Sequence, residues 1–356
     1  MGEEIMKNRN LHFTDEPTKI KELVMPIFAS ESVLRFELNN GASGRVMIGV
    51  AEQDDCAAFE VSGGAMIVAG SDYIRGAKFR LYEAGLLTAY DIGWYLAGAN
   101  ISDIAAMGAV PIGMLSVVRY PKDIEDEEFG EILRGIRDSC AAVDCLNVGG
   151  DIGTADELIL SGSAFGMVEP EAMLLRSGAH AGQVICVTGA TGGAGAAMKL
   201  VAAGARDRVA PEVFERLLAG WRRVSPRVAH GRLLAAARGA TACIDTSDGL
   251  KAALETLAVQ SQVGMVVDLE SVPLAEDVRA AAEALEIDPW ELVFGDSVDF
   301  ELVATVEPDS FSGLLRRCTA QGLPLWPIGH TEDGDGVDVV SGGERSATPG
   351  ESWRHR

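Results

Sequence analysis

The chain has little positive charge, no long apolar run and no closely paired cysteines. Its 356 residues include 30 Lys and Arg against 53 Asp and Glu, which gives a net charge of −23. Binding to nucleic acid needs a basic surface that meets the phosphates, so we expect no nucleic-acid partner. No apolar run approaches the ~18 residues of a membrane span, and the opening MGEEIMKNRN lacks the apolar core of a signal peptide. We therefore expect a cytoplasmic protein with no membrane partner.

Cysteine and histidine motifs for metal binding, and motifs for a catalytic nucleophile, are also missing. The six cysteines are spread singly and form no CxxC pair, so neither a structural zinc site nor a disulfide framework is expected. The five histidines have no partner at metal-ligand spacing, and no G-x-S-x-G motif occurs. A reaction that depends on metal ions and positioning, without a covalent intermediate, fits these absences best. Phosphoryl transfer is the main reaction of this kind.

Strand-like and helix-like segments alternate along the chain, and the length predicts two α/β domains. We expect an N-terminal extension with one helix over 1–30 and a first domain over 31–170. A second domain follows over 171–335. The remainder, 336–356, is rich in Gly, Asp and Ser and is expected to be a loose tail.

Acidic residues recur where the predicted strands end. A single Asp in this position usually caps a helix or forms a turn. Several of them beside Gly and Ser together indicate sites for hard cations such as Mg²⁺, which are typically shared with substrate phosphates. Asn100 and Asp103 lie three residues apart on one predicted helix and so share a face. The acidic residues near strands are Asp54, Asp55, Asp72, Asp151, Asp245, Asp248 and Asp299.

Two turns lead from a predicted strand into a predicted helix. In CIDTSDGLKAAL, the strand end carries Asp245, Ser247 and Asp248. In TGATGGAGAA, backbone N–H groups at the start of the helix could hold an anion. This second turn lacks the Lys-Ser/Thr of a Walker loop, so a purely structural tight turn is an equal alternative.

Four motifs in one order resemble the thiamine-monophosphate kinase family: DIGWYLAGANISDIAAMGAVP, NVGGD, CIDTSDGL and DFEL. This family belongs to the AIR synthase-like superfamily, together with hydrogenase maturation protein E and selenophosphate synthetase. The resemblance extends from about residue 20 to 330. It implies an α/β (α+β) fold of two domains, in which the N-terminal domains of a homodimer pair to form a β-barrel. A C-terminal α/β domain packs against the first.

The resemblance also implies an activity and a site. ATP and several Mg²⁺ ions would lie in a cleft, and the γ-phosphoryl group would pass to the phosphate of thiamine monophosphate. Asp245, Asp248 and Asp151 would act in catalysis. The implied metal ligands are Asp54, Asp55, Asp72, Asp103, Asp151, Asp245 and Asp248. The implied nucleotide- and substrate-binding residues are Asn100, Ser247, Gly149, Gly150, Lys78 and Phe300, with Arg75, Trp290 and Phe294 as further candidates on the acceptor side.

Several segments depart from the family pattern. The family's GVHF is GAKF here, GGDTTR is GGDIGT, GDSAAGL is GGAGAAM, and GGEDYEL is DSVDFEL. Three interpretations remain open: a thiamine-monophosphate kinase, a relative that uses ATP on another small metabolite, and a nucleotide-binding protein without turnover. The retained carboxylates argue against the third, because a site without cations does not need repelling charges.

Overall fold

The computed structural model describes residues 35–37, 43–48, 52, 54–61, 63–74 and 77–351. The predicted N-terminal extension over 1–30, with its helix, lies outside the described residues. Within them, the chain folds around two large β-sheets, one before and one after residue 170.

The first sheet has seven strands in the order β1-β2-β3-β4-β7-β5-β6. Neighbouring strands are antiparallel, except for the parallel pair β5 and β6. The elements of this part are β1 (Arg35–Glu37), β2 (Ser43–Ile48), β3 (Ala57–Val61), β4 (Ala65–Tyr73), α1 (Ala77–Glu83), α2 (Ala89–Ala106), β5 (Val110–Tyr120), α3 (Asp126–Ala141), β6 (Asn147–Thr154) and β7 (Ile159–Val168).

Helix α2 is the central helix of the first part and is buried along most of its length. Thr88 and Asp91 start it with a capping box, in which each side chain accepts a hydrogen bond from the other residue's backbone N–H. One side of α2 packs on β4, β5 and β7, and the other packs on α3. A Cβ on Gly93 would lie 2.0 Å from the backbone oxygen of Ile132, so only glycine permits this close approach of α2 and α3.

The second sheet also has seven strands, in the order β14-β13-β10-β12-β8-β11-β9. Its pairs are antiparallel, except for β10 with β13. The elements are β8 (Val184–Val187), α4 (Gly193–Ala202), α5 (Pro211–Arg222), α6 (Val228–Ala235), β9 (Ala240–Asp245), α7 (Leu250–Ser261), β10 (Gly264–Asp268), α8 (Glu276–Leu285), α9 (Trp290–Val293), β11 (Leu302–Val306), α10 (Pro308–Ala320), β12 (Trp326–Glu332), β13 (Val337–Ser341) and β14 (Glu344–Ala347).

The expectation of a loose tail from residue 336 was wrong for the segment that forms β13 and β14. Strand β13 pairs with β10 and β14 pairs with β13, so this segment completes one edge of the second sheet. The Gly and Asp residues that indicated a loose tail lie in the tight turns around these short strands. Beyond β14, Lys251 Nζ donates to the backbone oxygens of Thr348 (3.0 Å) and Gly350 (2.8 Å), which holds the chain against α7.

All six cysteines are free and buried. Over the described ranges, no helix combines the length and the apolarity that crossing a membrane requires.

Candidate active site between the two sheets

Three carboxylates from separate elements meet where the two parts of the chain contact each other. Asp55 lies just before β3, Asp103 lies near the end of α2, and Asp245 is the last residue of β9. One oxygen from each lies within 4.8 Å of the others. All three were predicted site residues, and the structure brings them together. We call them the carboxylate cluster.

Without a bound cation, burial and mutual repulsion make the charged state of these three carboxylates energetically unfavourable. Burial raises the pKa of Asp55 to about 7, even though Arg176 opposes the shift. Burial, followed by the negative charges of Asp245 and Asp55, raises the pKa of Asp103 well above its usual range. The buried Asp55 Oδ2 has no hydrogen-bond partner among the described residues. Oxygen ligands at this spacing, one of them unsatisfied, fit a hard divalent cation such as Mg²⁺.

Arg176, from the segment between the two sheets, is a member of the site that sequence reasoning missed. Its Nη2 lies 2.5 Å from Asp55 Oδ1, and its backbone N–H donates to Asp54 Oδ2 at 3.0 Å. Burial raises the pKa of Asp54, although the backbone hydrogen bonds that its carboxylate accepts act to lower it. Arg176 therefore partly neutralises the two neighbouring carboxylates. No sequence pattern pointed to it, because it lies 121 positions from Asp55.

Serine hydroxyls fix the orientation of Asp245. Ser102, on α2, donates to Asp245 Oδ2 at 2.5 Å, and Ser247 Oγ donates to Oδ1 at 2.8 Å. The chain then turns through Gly249, whose φ is 94° and whose Cβ, if present, would lie 2.3 Å from the Gly295 backbone oxygen. Helix α7 begins at the next residue, so the strand-end carboxylate stands beside a helix N-terminus that favours phosphate.

Asp72 and Asn100 lie next to the cluster. The backbone N–H of Asp72 donates to Asn100 Oδ1 at 2.9 Å, and Asn100 Nδ2 donates to the Leu96 backbone oxygen at 2.9 Å. The charge of Asp72 contributes to the raised pKa of Asp103. Asn100 thus joins β4 to α2 and sets the position of Asp72 relative to the cluster.

Comparison with known proteins identifies the group to which this arrangement belongs. The model of the AIR synthase related protein N-terminal domain matches residues 53–168, and that of the C-terminal domain matches 180–342. The thiamine-monophosphate kinase of Halobacterium salinarum is 36% identical over 313 residues, which cover 85% of this chain and all of that protein. The chain belongs to the thiamine-monophosphate kinase family.

Solved structures agree with this family membership. The thiamine-monophosphate kinase of Stenotrophomonas maltophilia is 30% identical, with a TM-score of 0.69 over 85% of this chain and 92% of that one. AaThiL complexed with AMPPCP and TMP has a TM-score of 0.78 over 98% of this chain and 100% of that one. At 22% identity, this second likeness concerns the fold.

Not every residue that the family resemblance assigned to the site lies at the cluster. Asp151, Gly149 and Gly150 are on β6, the edge strand of the first sheet. The strand register places Gly150 three strands away from Asp72, about 14 Å at ~4.8 Å per strand. Asp151 is largely exposed, and it pairs with Arg119 at 2.5 Å. In this structure Asp151 is therefore an edge-strand residue apart from the carboxylate cluster.

The acceptor-side candidates divide in a similar way. Phe300 is 3% exposed, has a φ of 53°, and packs edge-on against Tyr95 with ring centroids 5.5 Å apart. Phe294 is fully buried and packs against Trp290. Phe294 and Phe300 thus lie in the core rather than on an open aromatic wall. Lys78 is the second residue of α1. Its side chain, like all of Arg75, lies outside the described residues, and the assignment of both stays a prediction.

In the Gly-rich turn before α4, backbone N–H groups donate to a side-chain carboxylate, that of Asp299. Asp299 Oδ2 accepts from the Gly192 backbone N–H at 2.6 Å, and Oδ1 accepts from that of Ala194 at 3.2 Å. Ser297 Oγ accepts from the backbone N–H of Gly195 at 2.9 Å. The N–H groups that could have met a phosphate are therefore satisfied internally, which favours the structural interpretation of this turn.

Asp248 lies in the turn before α7 and is partly buried. Burial raises the pKa of Tyr95, and the negative charges of Asp72 and Asp248 add to this effect. Asp248 thus lies within electrostatic reach of Tyr95, as Asp72 does. Its assignment as a metal ligand stays a prediction.

Proposed function

We propose that this protein transfers the γ-phosphoryl group of ATP to the phosphate of thiamine monophosphate, which gives thiamine diphosphate. The observation that carries the proposal is the carboxylate cluster between the two sheets, in a chain that belongs to this family. The presence of AMPPCP and TMP in AaThiL, which shares the fold, supports ATP and thiamine monophosphate as the substrates.

Mg²⁺ is the cation that we propose for the cluster. Asp55, Asp103 and Asp245 would hold it, with Asp54 and Asp72 beside them. When bound, Mg²⁺ would supply positive charge that neutralises the charge developing during phosphoryl transfer. The assignment of Asp151 to catalysis and metal binding stays a prediction, since it lies on the edge strand β6 of a single chain.

The protein's own groups would then bind and orient the phosphates. Helix α7 begins at Leu250, one short turn after Asp245, and its N-terminus favours anionic phosphate oxygens. The attacking oxygen of a phosphate monoester is largely deprotonated at neutral pH, since its second pKa is about 6. The chain therefore needs no general base, and catalysis depends on alignment and charge neutralisation.

We further propose that the protein works as a homodimer through the first sheet. On the sheet face opposite α2, strands β5 and β7 expose large apolar side chains: Val110, Ile112, Leu115, Ile159 and Met167. Such a patch on a sheet usually marks an interaction surface. A cytoplasmic location stays a prediction from the sequence.

The function is tested by incubating the protein with ATP and Mg²⁺, with and without thiamine monophosphate, and separating the products chromatographically. We expect thiamine diphosphate and ADP in equal amounts. ATP binding without any conversion of thiamine monophosphate would overturn the proposal. It would favour a different phosphorylated acceptor, in line with the changed segments GAKF and DSVDFEL.

A further inference from the structure

We propose that Ser102 is a positioning residue of the cation site. Its hydrogen bond orients Asp245 within the carboxylate cluster, and this bond forms only when the two parts of the chain pack against each other. Ser102 lies on α2 of the first part and is fully buried. Asp245 ends β9 of the second part, 143 positions away. The inference rests on the proposed function for the identity of the cation.

The hydrogen bond is well placed for this role. Ser102 Oγ lies 2.5 Å from Asp245 Oδ2, while Ser247 holds the other oxygen at 2.8 Å. A carboxylate oxygen has two lone pairs. Oδ1 also accepts from the Ser247 backbone N–H at 3.4 Å, whereas Oδ2, among the described residues, accepts only from Ser102 and keeps a lone pair for a cation. With both oxygens anchored, the carboxylate is fixed in its plane and in its rotation. Residues that orient a metal ligand in this way commonly govern metal affinity.

The two anchors come from different sources. Ser247 follows Asp245 by two residues, so its hydrogen bond forms whenever the turn forms. Ser102 neighbours Asp103 in sequence, so a single turn of α2 supplies both a cluster carboxylate and the hydroxyl that orients a second one. A serine within a helix often bonds to the backbone of the preceding turn instead. Here the hydroxyl reaches across to the other part of the chain, and this links ligand geometry to the contact between the two sheets.

Ser139 provides a matched control. It lies on α3 of the same part, is 1% exposed, and its hydroxyl has no hydrogen-bond partner within the described ranges. Ser102→Ala and Ser139→Ala therefore remove the same atom from equally buried helical positions. Ser102→Cys is a third variant that preserves the side-chain size and replaces the hydroxyl with a weak donor.

The experiment measures binding of Mn²⁺ to each full-length variant by electron paramagnetic resonance, without nucleotide and well below the unfolding temperature. Mn²⁺ prefers the same oxygen ligands as Mg²⁺. We expect Ser102→Ala and Ser102→Cys to weaken Mn²⁺ binding about 10-fold or more, and Ser139→Ala to leave it unchanged. The Mg²⁺ concentration for half-maximal turnover should rise in parallel, and saturating Mg²⁺ should restore most of kcat.

Unchanged Mn²⁺ affinity in Ser102→Ala would overturn the inference, and a lower unfolding temperature with unchanged affinity would assign Ser102 a purely structural role. A wild-type protein that binds no Mn²⁺ would overturn both the inference and the cation assignment. If the variants differ as expected but thiamine monophosphate is not phosphorylated, the proposed function fails while the role of Ser102 stands.

Discussion

Arg176 Nη2 lies 2.5 Å from Asp55 Oδ1, so the segment between the two sheets supplies a positive charge to the carboxylate cluster. The side chain of Asp55 is fully buried and that of Arg176 is 25% exposed. A buried pair of this kind adds little net stability, but removal of one partner leaves a charge without compensation. The guanidinium of Arg176 therefore offsets part of the repulsion among the carboxylates while no metal ion is bound.

Arg176→Gln should destabilise the metal-free protein by about 3 kcal/mol, because it leaves the buried Asp55 carboxylate without the guanidinium that compensates its charge. Urea unfolding in a chelating buffer measures this loss. The double variant Arg176→Gln/Asp55→Asn should recover most of it, since neither charge remains. Equal losses in the single and double variants would show that the guanidinium stabilises the fold through contacts other than Asp55.

Asp103→Asn should have opposite effects on activity and on metal-free stability. Turnover should fall at least about 100-fold, or ~2.7 kcal/mol in transition-state stabilisation, because a ligand charge is lost. The metal-free protein should unfold at a higher temperature than the wild type, because a repelling carboxylate becomes neutral. Thermal unfolding with and without Mg²⁺ tests both statements, and the stabilisation by Mg²⁺ should largely disappear.

Asp333→Asn is the control for this variant, since Asp333 is exposed in the turn before β13. It should change neither turnover nor the response to Mg²⁺. An Asp103→Asn enzyme with near wild-type turnover would remove Asp103 from the metal site.

The sequence predicted those parts of the site that depend on local pattern. Asp245 and Ser247 were recognisable because a buried strand runs into a helical pattern within a few residues, and Asn100 and Asp103 because they share one helix face. The contacts of Ser102 and Arg176 could not be found in this way. Their partners lie more than 100 residues away, and only the packing of the two sheets brings them together.

The wrong expectation of a loose tail and the open questions at two other segments have physical causes as well. The glycines near residue 336 belong to turns between short strands, and composition alone does not separate such turns from a loose tail. For the turn before α4, the sequence left an anion site and a structural turn as equal alternatives, because nothing local indicates that Asp299, 105 positions from Ala194, caps it. The role of Asp151 on the edge strand β6 stays a prediction.

His230 should make stability fall in mild acid. It is 4% exposed on α6, and its Nε2–H donates to the Pro324 backbone oxygen at 2.8 Å. Burial lowers its pKa below 6.5, and the charge of Arg227 acts in the same direction, while Glu301 opposes it. Below about pH 6.5 His230 is protonated in the unfolded chain but stays neutral in the folded protein. The stability contributed by the neutral ring is therefore lost as the pH falls.

The measurement is the free energy of unfolding of wild type and His230→Gln between about pH 7.5 and 5. The wild type should lose more stability than the variant over this interval, because only the wild type takes up a proton at this position on unfolding. Glutamine keeps a donor near Pro324 and does not titrate. Parallel curves for the two proteins would contradict the prediction.

The apolar face of the first sheet should hold two copies of the chain together. Leu115 lies on β5, next to Val110 and Ile112 on the same exposed face. In a symmetric dimer each substitution acts twice, so Leu115→Glu should remove two apolar side chains and bury two charges. Sedimentation velocity should give about twice 37.6 kDa for the wild type and a single-chain mass for the variant.

Val259→Glu is the matched control, since Val259 is an apolar side chain on α7 with 75% of its surface exposed. It should leave the dimer intact. A wild-type protein that stays a single chain at all concentrations, or a Leu115→Glu variant that dimerises equally well, would contradict the homodimer. Side chains alternate between the two faces of β5 and β7, and α2 covers one of these faces. A chain that remained single would leave the other apolar face in water, which costs ~25 cal/mol of free energy per Å² of exposed apolar surface.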